Sequence, residues 1–228
     1  MSALAATLKP RKSPVQARSA ATIEALHVAA IQVLTREGLG RCTTTRIAER
    51  AGIAVGSLYQ YYPNRDALLA AVLEKHLDSV AGAVEHTCKE HRGKPVSQMA
   101  SALVTAFLAA KLRNPRESKA LYAIAEGRGG VQLVARLRTR IVSAIAALLV
   151  SAPDAHFEDP LMTSTMVLSV LSGPVRALLE GHTPAGFETG LEGQLIVLLT
   201  AFLQTHQKRP ARARKPATTD GRRVDWSG

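Results

Sequence analysis

Apolar residues recur at three- and four-residue spacing along most of this chain, with polar residues in the intervals. Ile23, Leu26, Ala30, Val33 and Leu34 mark a first helix that stops near Gly38 and Gly40. Residues 43 to 64 break the rhythm into two short helices around a glycine. Leu68, Leu69, Val72, Leu73, Leu77, Val80 and Val84 mark a long fourth helix ending near Gly93, and Met99, Leu103, Ala106, Phe107 and Ala110 a fifth. Asn114-Pro115 reads as a cap followed by proline at the first helical position, opening a sixth helix that stops near Gly127. Val134, Leu137, Ile141, Ile145, Leu148 and Leu149 make a seventh. Asp159-Pro160 repeats the cap-plus-proline signal and opens an eighth, with a kink expected at Gly173-Pro174. The turn "GHTPAGFE" then leads to a ninth helix through Leu203. No useful length alternates apolar and polar residues as a strand would. The prediction is an all-α chain of about nine helices: a three-helix N-terminal head over 15–64 and a larger helical bundle over 65–206. A basic arm (1–14) and a basic tail (207–228), both rich in proline and charge, flank them and are expected to be disordered.

The break in the rhythm is the stretch "TTTRIAERAGIAVGSLYQYYPNRDALL", residues 43 to 69. A threonine oxygen at its start can cap the second helix. Ile47 and Ala51 face inward, and Ala48 is small enough for another helix to cross closely. Gly52 suits a tight turn at positive φ. Ile53 and Leu58 return to the core. Counted from Thr44 as first, the small residue falls fifth, the glycine ninth and the leucine fifteenth. That spacing fits a helix-turn-helix, whose second helix enters the DNA major groove. Leu58 and Tyr62 take the inner face of this third helix, so Val55, Gly56, Ser57, Tyr59, Gln60 and Tyr61 point largely outward. Tyrosine hydroxyls can donate to phosphates, Gln60 can read adenine, and Val55 can touch a thymine methyl. Asn64 caps the next helix, and Arg65 stands in its first turn, where a phosphate is favoured.

With its threonines, Ile-Ala, Ala-Gly, Leu-Tyr and Asn-Arg pairs, this stretch resembles the tetracycline-repressor (TetR) family of bacterial transcription regulators. The resemblance covers about residues 15 to 75. It implies a homodimeric, sequence-specific regulator, a repressor released by a small-molecule ligand, whose two heads read the halves of a palindromic double-stranded operator. By position, Thr44 and Arg65 match phosphate contacts, and Thr45 a contact to base or phosphate. Val55, Gly56 and Gln60 match base-facing positions, while Ser57, Tyr59 and Tyr61 match backbone-contacting or orienting ones. Many members carry phenylalanine at the place of Tyr62 and lysine at that of Arg65; both changes keep the apparent role. Many are polar where Val55 stands, which shifts hydrogen-bonding readout toward Gln60 and Thr45. The resemblance also implies a ligand pocket inside the bundle, with Met99, Leu103, Phe107, Tyr122 and Met166 as candidates, and dimerisation through the eighth and ninth helices. The bland alternative for each pocket candidate is plain core.

Composition narrows the rivals. A formal net charge of +11 favours polyanionic partners and keeps open a non-specific nucleoid or architectural DNA-binding protein. Hydrophobic residues make up 46%, enough for a core, and their type suggests a small hydrophobic ligand. The two cysteines, Cys42 and Cys88, make no disulfide framework, and the N-terminus lacks the pattern of a signal peptide, so a cytoplasmic, nucleoid-associated protein is expected. The longest uncharged run, between Asp159 and Arg176, is shorter than a bilayer span needs, so no membrane partner is expected. In "EHTCKEH" only Cys88 and His91 share a helical face, and no further ligand stands nearby, so no metal or other cofactor is expected. No phosphate-cradling loop or nucleophile elbow suggests an enzyme. The sequence leaves open whether Arg128, Arg136 or Arg176 turns into a pocket.

Overall fold

The computed structural model describes residues 17–127 and 129–206; the basic arm, the basic tail and Arg128 lie outside the described residues. Among the described residues the chain is all-helical. In order come α1 (Ala17–Glu37), α2 (Thr44–Ala51), α3 (Val55–Tyr61), α4 (Arg65–Glu90), α5 (Val96–Leu112), α6 (Pro115–Ala125), α7 (Gly130–Val150), α8 (Pro160–Glu180) and α9 (Phe187–Gln204). A single 3-10 turn, Leu39–Arg41, was not foreshadowed by the apolar pattern because it buries no side chain.

Local chemistry sets the boundaries. Asn64 Oδ1 accepts from the Ala67 N–H at 2.8 Å, Asn114 Oδ1 from Glu117 at 3.2 Å and Asp159 Oδ1 from Met162 at 2.9 Å. Each cap stabilises its helix by about 1 kcal/mol. Pro115 and Pro160 follow their caps at positions where no intrahelical N–H is needed. The eighth helix passes through Pro174 as one element. By length and composition it could cross a membrane, yet Val167, Leu168, Leu171, Val175 and Leu179 are buried in the bundle.

Two apolar cores lie along the molecule. The first joins α1, α2 and α3 through Leu26, Ala30, Val33, Ile47, Ala48, Leu58 and Tyr62. The second fills the bundle with side chains of α4, α5, α7, α8 and α9. Helix α4 belongs to both: Leu68, Leu69, Val72 and Leu73 sit in the head core, and Val80, Ala81, Val84 and Cys88 in the bundle core. Leu121 of α6 and Leu133 of α7 also pack into the head core. The start of α4, where the head was expected to end, therefore belongs to the head core, and the same helix continues into the bundle core.

Candidate nucleic-acid interface and ligand cavity

The helix-turn-helix is fixed by a cap, a glycine and one small residue. Thr43 accepts from the Arg46 N–H at 3.3 Å and starts α2. Ala48 is fully buried in the head core. Gly52 ends α2 at φ 70°, a left-handed conformation in which a β-carbon costs roughly 1–2 kcal/mol. Leu58 and Tyr62 are buried, as their phase on α3 predicted. Tyr62 finds a partner that the sequence did not suggest: its hydroxyl lies 2.7 Å from Nε2 of His27, itself buried on α1. This bond ties the end of α3 to the helix beneath it.

Of the sequence-derived DNA contacts, Thr45, Gly56, Tyr59 and Gln60 are exposed. Thr44, Val55, Ser57, Tyr61 and Arg65 are half-buried. Val55 and Tyr61 rest against the head core, so each offers only part of its surface. Thr44 Oγ1 and the Tyr59 hydroxyl are 3.1 Å apart, which brings two candidate phosphate donors from different helices to one point. Arg65 pairs with neighbouring Asp66 at 3.0 Å, Arg46 pairs with Glu37, and Arg50 donates to Gln32 at 2.5 Å. These three arginines are thus already oriented on the head surface.

A cavity of about 340 Å³ opens between α4, α5, α6, α7 and α8. Phe107 and Tyr122 line it together with Leu73, Leu77, Leu137 and Leu168. The other pocket candidates lie elsewhere. Met99 and Leu103 are fully buried and belong to the bundle core, two turns and one turn before Phe107 along α5. Met166 is 48% exposed on the outer face of α8. The sequence also missed a polar lining group: Lys111 follows Leu103 and Phe107 on the same face of α5 and is only 9% exposed. Its ammonium stands 4.9 Å from the Tyr122 ring centroid, and burial pushes it down to about 8. Arg176 turns toward the cavity, 5.2 Å from the same ring, and pairs with Glu126 at 2.5 Å and Glu180 at 2.7 Å. Arg136 instead pairs with Glu74 on the surface. His76 on α4 lines the cavity too; burial lowers it to about 4, so it is neutral at physiological pH.

Elsewhere, the "EHTCKEH" side chains diverge: His86 pairs with Glu90, His91 bonds Thr87 O at 3.0 Å, and Cys88 is buried. Cys42 is buried as well, with its thiol raised by burial. On α8, Leu161, Met162 and Met166 are exposed, and so are Val197 and Leu198 on α9. Gly173, Gly190 and Gly193 on the same two helices have open space beside them.

Comparison with known proteins agrees with this geometry. The family model described as bacterial regulatory proteins, tetR family, matches residues 26–72, and that of the tetracyclin repressor-like C-terminal domain matches residues 95–203. The chain belongs to the TetR family. Its head is that family's helix-turn-helix DNA-binding unit. A transcriptional regulator of this family from Mesorhizobium loti has the same fold, with a TM-score of 0.70 at 17% identity, covering 85% of this chain and 100% of that one. FadR from Bacillus subtilis, solved in complex with stearoyl-CoA, gives a TM-score of 0.64 at 13% identity, covering 78% of this chain and 97% of that one. Among curated proteins, nucleoid occlusion factor SlmA of Actinobacillus pleuropneumoniae is 29% identical over 116 residues, 50% of this chain and 54% of SlmA. The chain thus spans about half the length of the curated relatives it matches.

Proposed function

We propose that this TetR-family chain is a homodimeric repressor that binds a palindromic operator and leaves it when a small molecule fills the cavity between α4 and α8. The observation that carries the reading is the placement of α4. It begins at Arg65 beside the recognition helix, and Leu73, His76, Leu77 and Val80, two to four turns on, form one wall of the cavity. Arg65 and His76 are about 17 Å apart along the helix axis. A ligand that displaces this wall moves the head that shares the helix.

In the DNA complex, Thr44 and Tyr59 serve one phosphate through their joined hydroxyls, and Arg65 another. Tyr61 and Ser57 orient the helix against the backbone. Gln60 and Thr45 read base edges, Val55 meets a thymine methyl, and Gly56 lets the helix approach closely. The exposed apolar side chains of α8 and α9, with unobstructed glycines on the same helices, suit a second copy packing helix on helix. Electrophoretic or anisotropy titration of Tyr59→Ala and Arg65→Ala tests the contacts: both weaken DNA binding with the dimer intact, and unchanged affinity for both would refute the assignment.

A second reading, non-specific nucleoid or architectural binding, draws on the net charge of +11 and on the name of the curated relative, a nucleoid occlusion factor. The ratio of affinities for selected and random duplexes separates the two: specific regulators exceed about 10³.

A further inference from the structure

We propose that the ligand of this cavity is an amphipathic anion, an apolar body bearing a single carboxylate, with Lys111 as the counter-charge to its head. The inference rests on the cavity being the ligand site and adds the charge and class of what it takes.

Most of the wall is apolar: Leu73, Leu77, Phe107, Leu137, Ile141 and Leu168. Into this wall the last turn of α5 places Lys111, a lysine only 9% exposed. Among the described residues no carboxylate pairs with it. Glu126, the acid on the cavity lining, is held by Arg176, and Glu117, on α6, stands 3.7 Å from His76 Nδ1. The aromatic face of Tyr122 attracts the ammonium but carries no net charge to neutralise it.

The other groups facing the cavity do not supply the missing charge. From α4 comes His76, held neutral by burial, whose Nε2 is buried without a hydrogen-bond partner. From α6 comes Tyr122, whose hydroxyl is raised by burial and stays protonated. From α7 comes Arg138, exposed at the rim, and from α8 comes Arg176 with its own acids. The lining therefore holds more positive than negative charge. A cationic ligand would add to the excess. A neutral apolar ligand would expel the remaining water and leave the ammonium less solvated than before. A carboxylate accepts from Lys111 with one oxygen and leaves the other free for a further donor. At about 340 Å³ the cavity is at the low end for small-molecule sites (roughly 300–1,000 Å³), which favours a medium-chain body over a long one.

The test is calorimetric titration of the full chain with decanoate, decanol and decylamine, each below self-association. Decanoate is expected to bind about tenfold or more tighter than decanol, the difference of one charge-assisted hydrogen bond, and decylamine more weakly than either. Lys111→Met is expected to keep decanol binding and bring decanoate to within about twofold of it. Equal binding of decanoate and decanol by the native chain would overturn the proposal. So would a preference for decanoate that survives in Lys111→Met, or no binding of decanoate by a chain that still binds DNA. DNA release is read in parallel on the same samples. If decanoate binds with the expected Lys111 dependence and DNA is retained, the ligand-release reading fails while the charge assignment stands. If DNA is bound and decanoate is not, the charge assignment fails while the DNA-binding reading stands.

Discussion

Replacing Lys111 by methionine should make this protein more stable at neutral pH, contrary to the usual result of changing a buried residue. The substitution keeps an unbranched side chain of similar reach and removes the ammonium. In the native chain burial moves Lys111 from its ordinary 10.5 down to about 8. At pH 7 the folded state therefore holds a charged group that it solvates poorly, at a cost on the order of 3 kcal/mol. The cation–π contact with Tyr122 and the α5 C-terminus offset part of this, by about 1 kcal/mol each at most. The sign follows from proton counts. Between about 8 and 10.5 the unfolded lysine binds a proton that the folded one has released, so native stability rises with pH across that window. The penalty is complete below the folded value and gone above the unfolded one. Urea unfolding of both chains from pH 6.5 to 10.5 isolates the effect, because the other titrations are common to both. Lys111→Met should exceed the native chain by about 1–3 kcal/mol at pH 7, and the gap should close toward pH 10.5. A gap that does not change with pH, or a less stable variant at pH 7, would refute the burial of an uncompensated charge.

Other consequences concern the head. Tyr62→Phe removes the partner of His27 Nε2 and leaves that buried ring without a hydrogen bond, which should cost about 1–3 kcal/mol in chemical denaturation. Gly52→Ala meets no neighbouring atom but must hold φ near 70°, so a loss of about 1 kcal/mol is expected from backbone strain alone, and no change in Tm would contradict it. Arg65→Ala should lower DNA affinity evenly across sequences and reduce the slope of log affinity against log salt by about one. Gln60→Ala should leave that slope unchanged and alter base preference at one position of each half-site; an unaltered preference in a selection experiment would exclude Gln60 from readout.

What the sequence made legible follows from the range of each interaction. Helix boundaries were readable because their determinants are local: Asn64, Asn114 and Asp159 each cap with an oxygen three residues before the donor. The helix-turn-helix was readable because Ala48, Gly52 and Leu58 satisfy steric demands at fixed spacing. Contacts between distant segments were not. The His27–Tyr62 bond spans 35 residues, and nothing at either position names the other. The pocket candidates were chosen by apolar character, which picks out core as readily as cavity wall; Met99 and Leu103 are core, and Met166 faces outward. Lys111 could have been found. It continues the Leu103–Phe107 stripe at four-residue spacing, and a lysine in such a register is either at a helix end or buried for a reason.

The central claim is that the exposed face of α3 reads sequence as one half of a symmetric dimer. Selection of bound duplexes from a random DNA pool, with purified protein at near-physiological salt, tests it most directly. The expected result is a palindromic motif whose half-sites lie one helical turn, or a multiple of it, apart. Recovery of no motif, with binding that only fades as salt rises, would contradict it: Gln60 and Val55 would then face DNA without reading it.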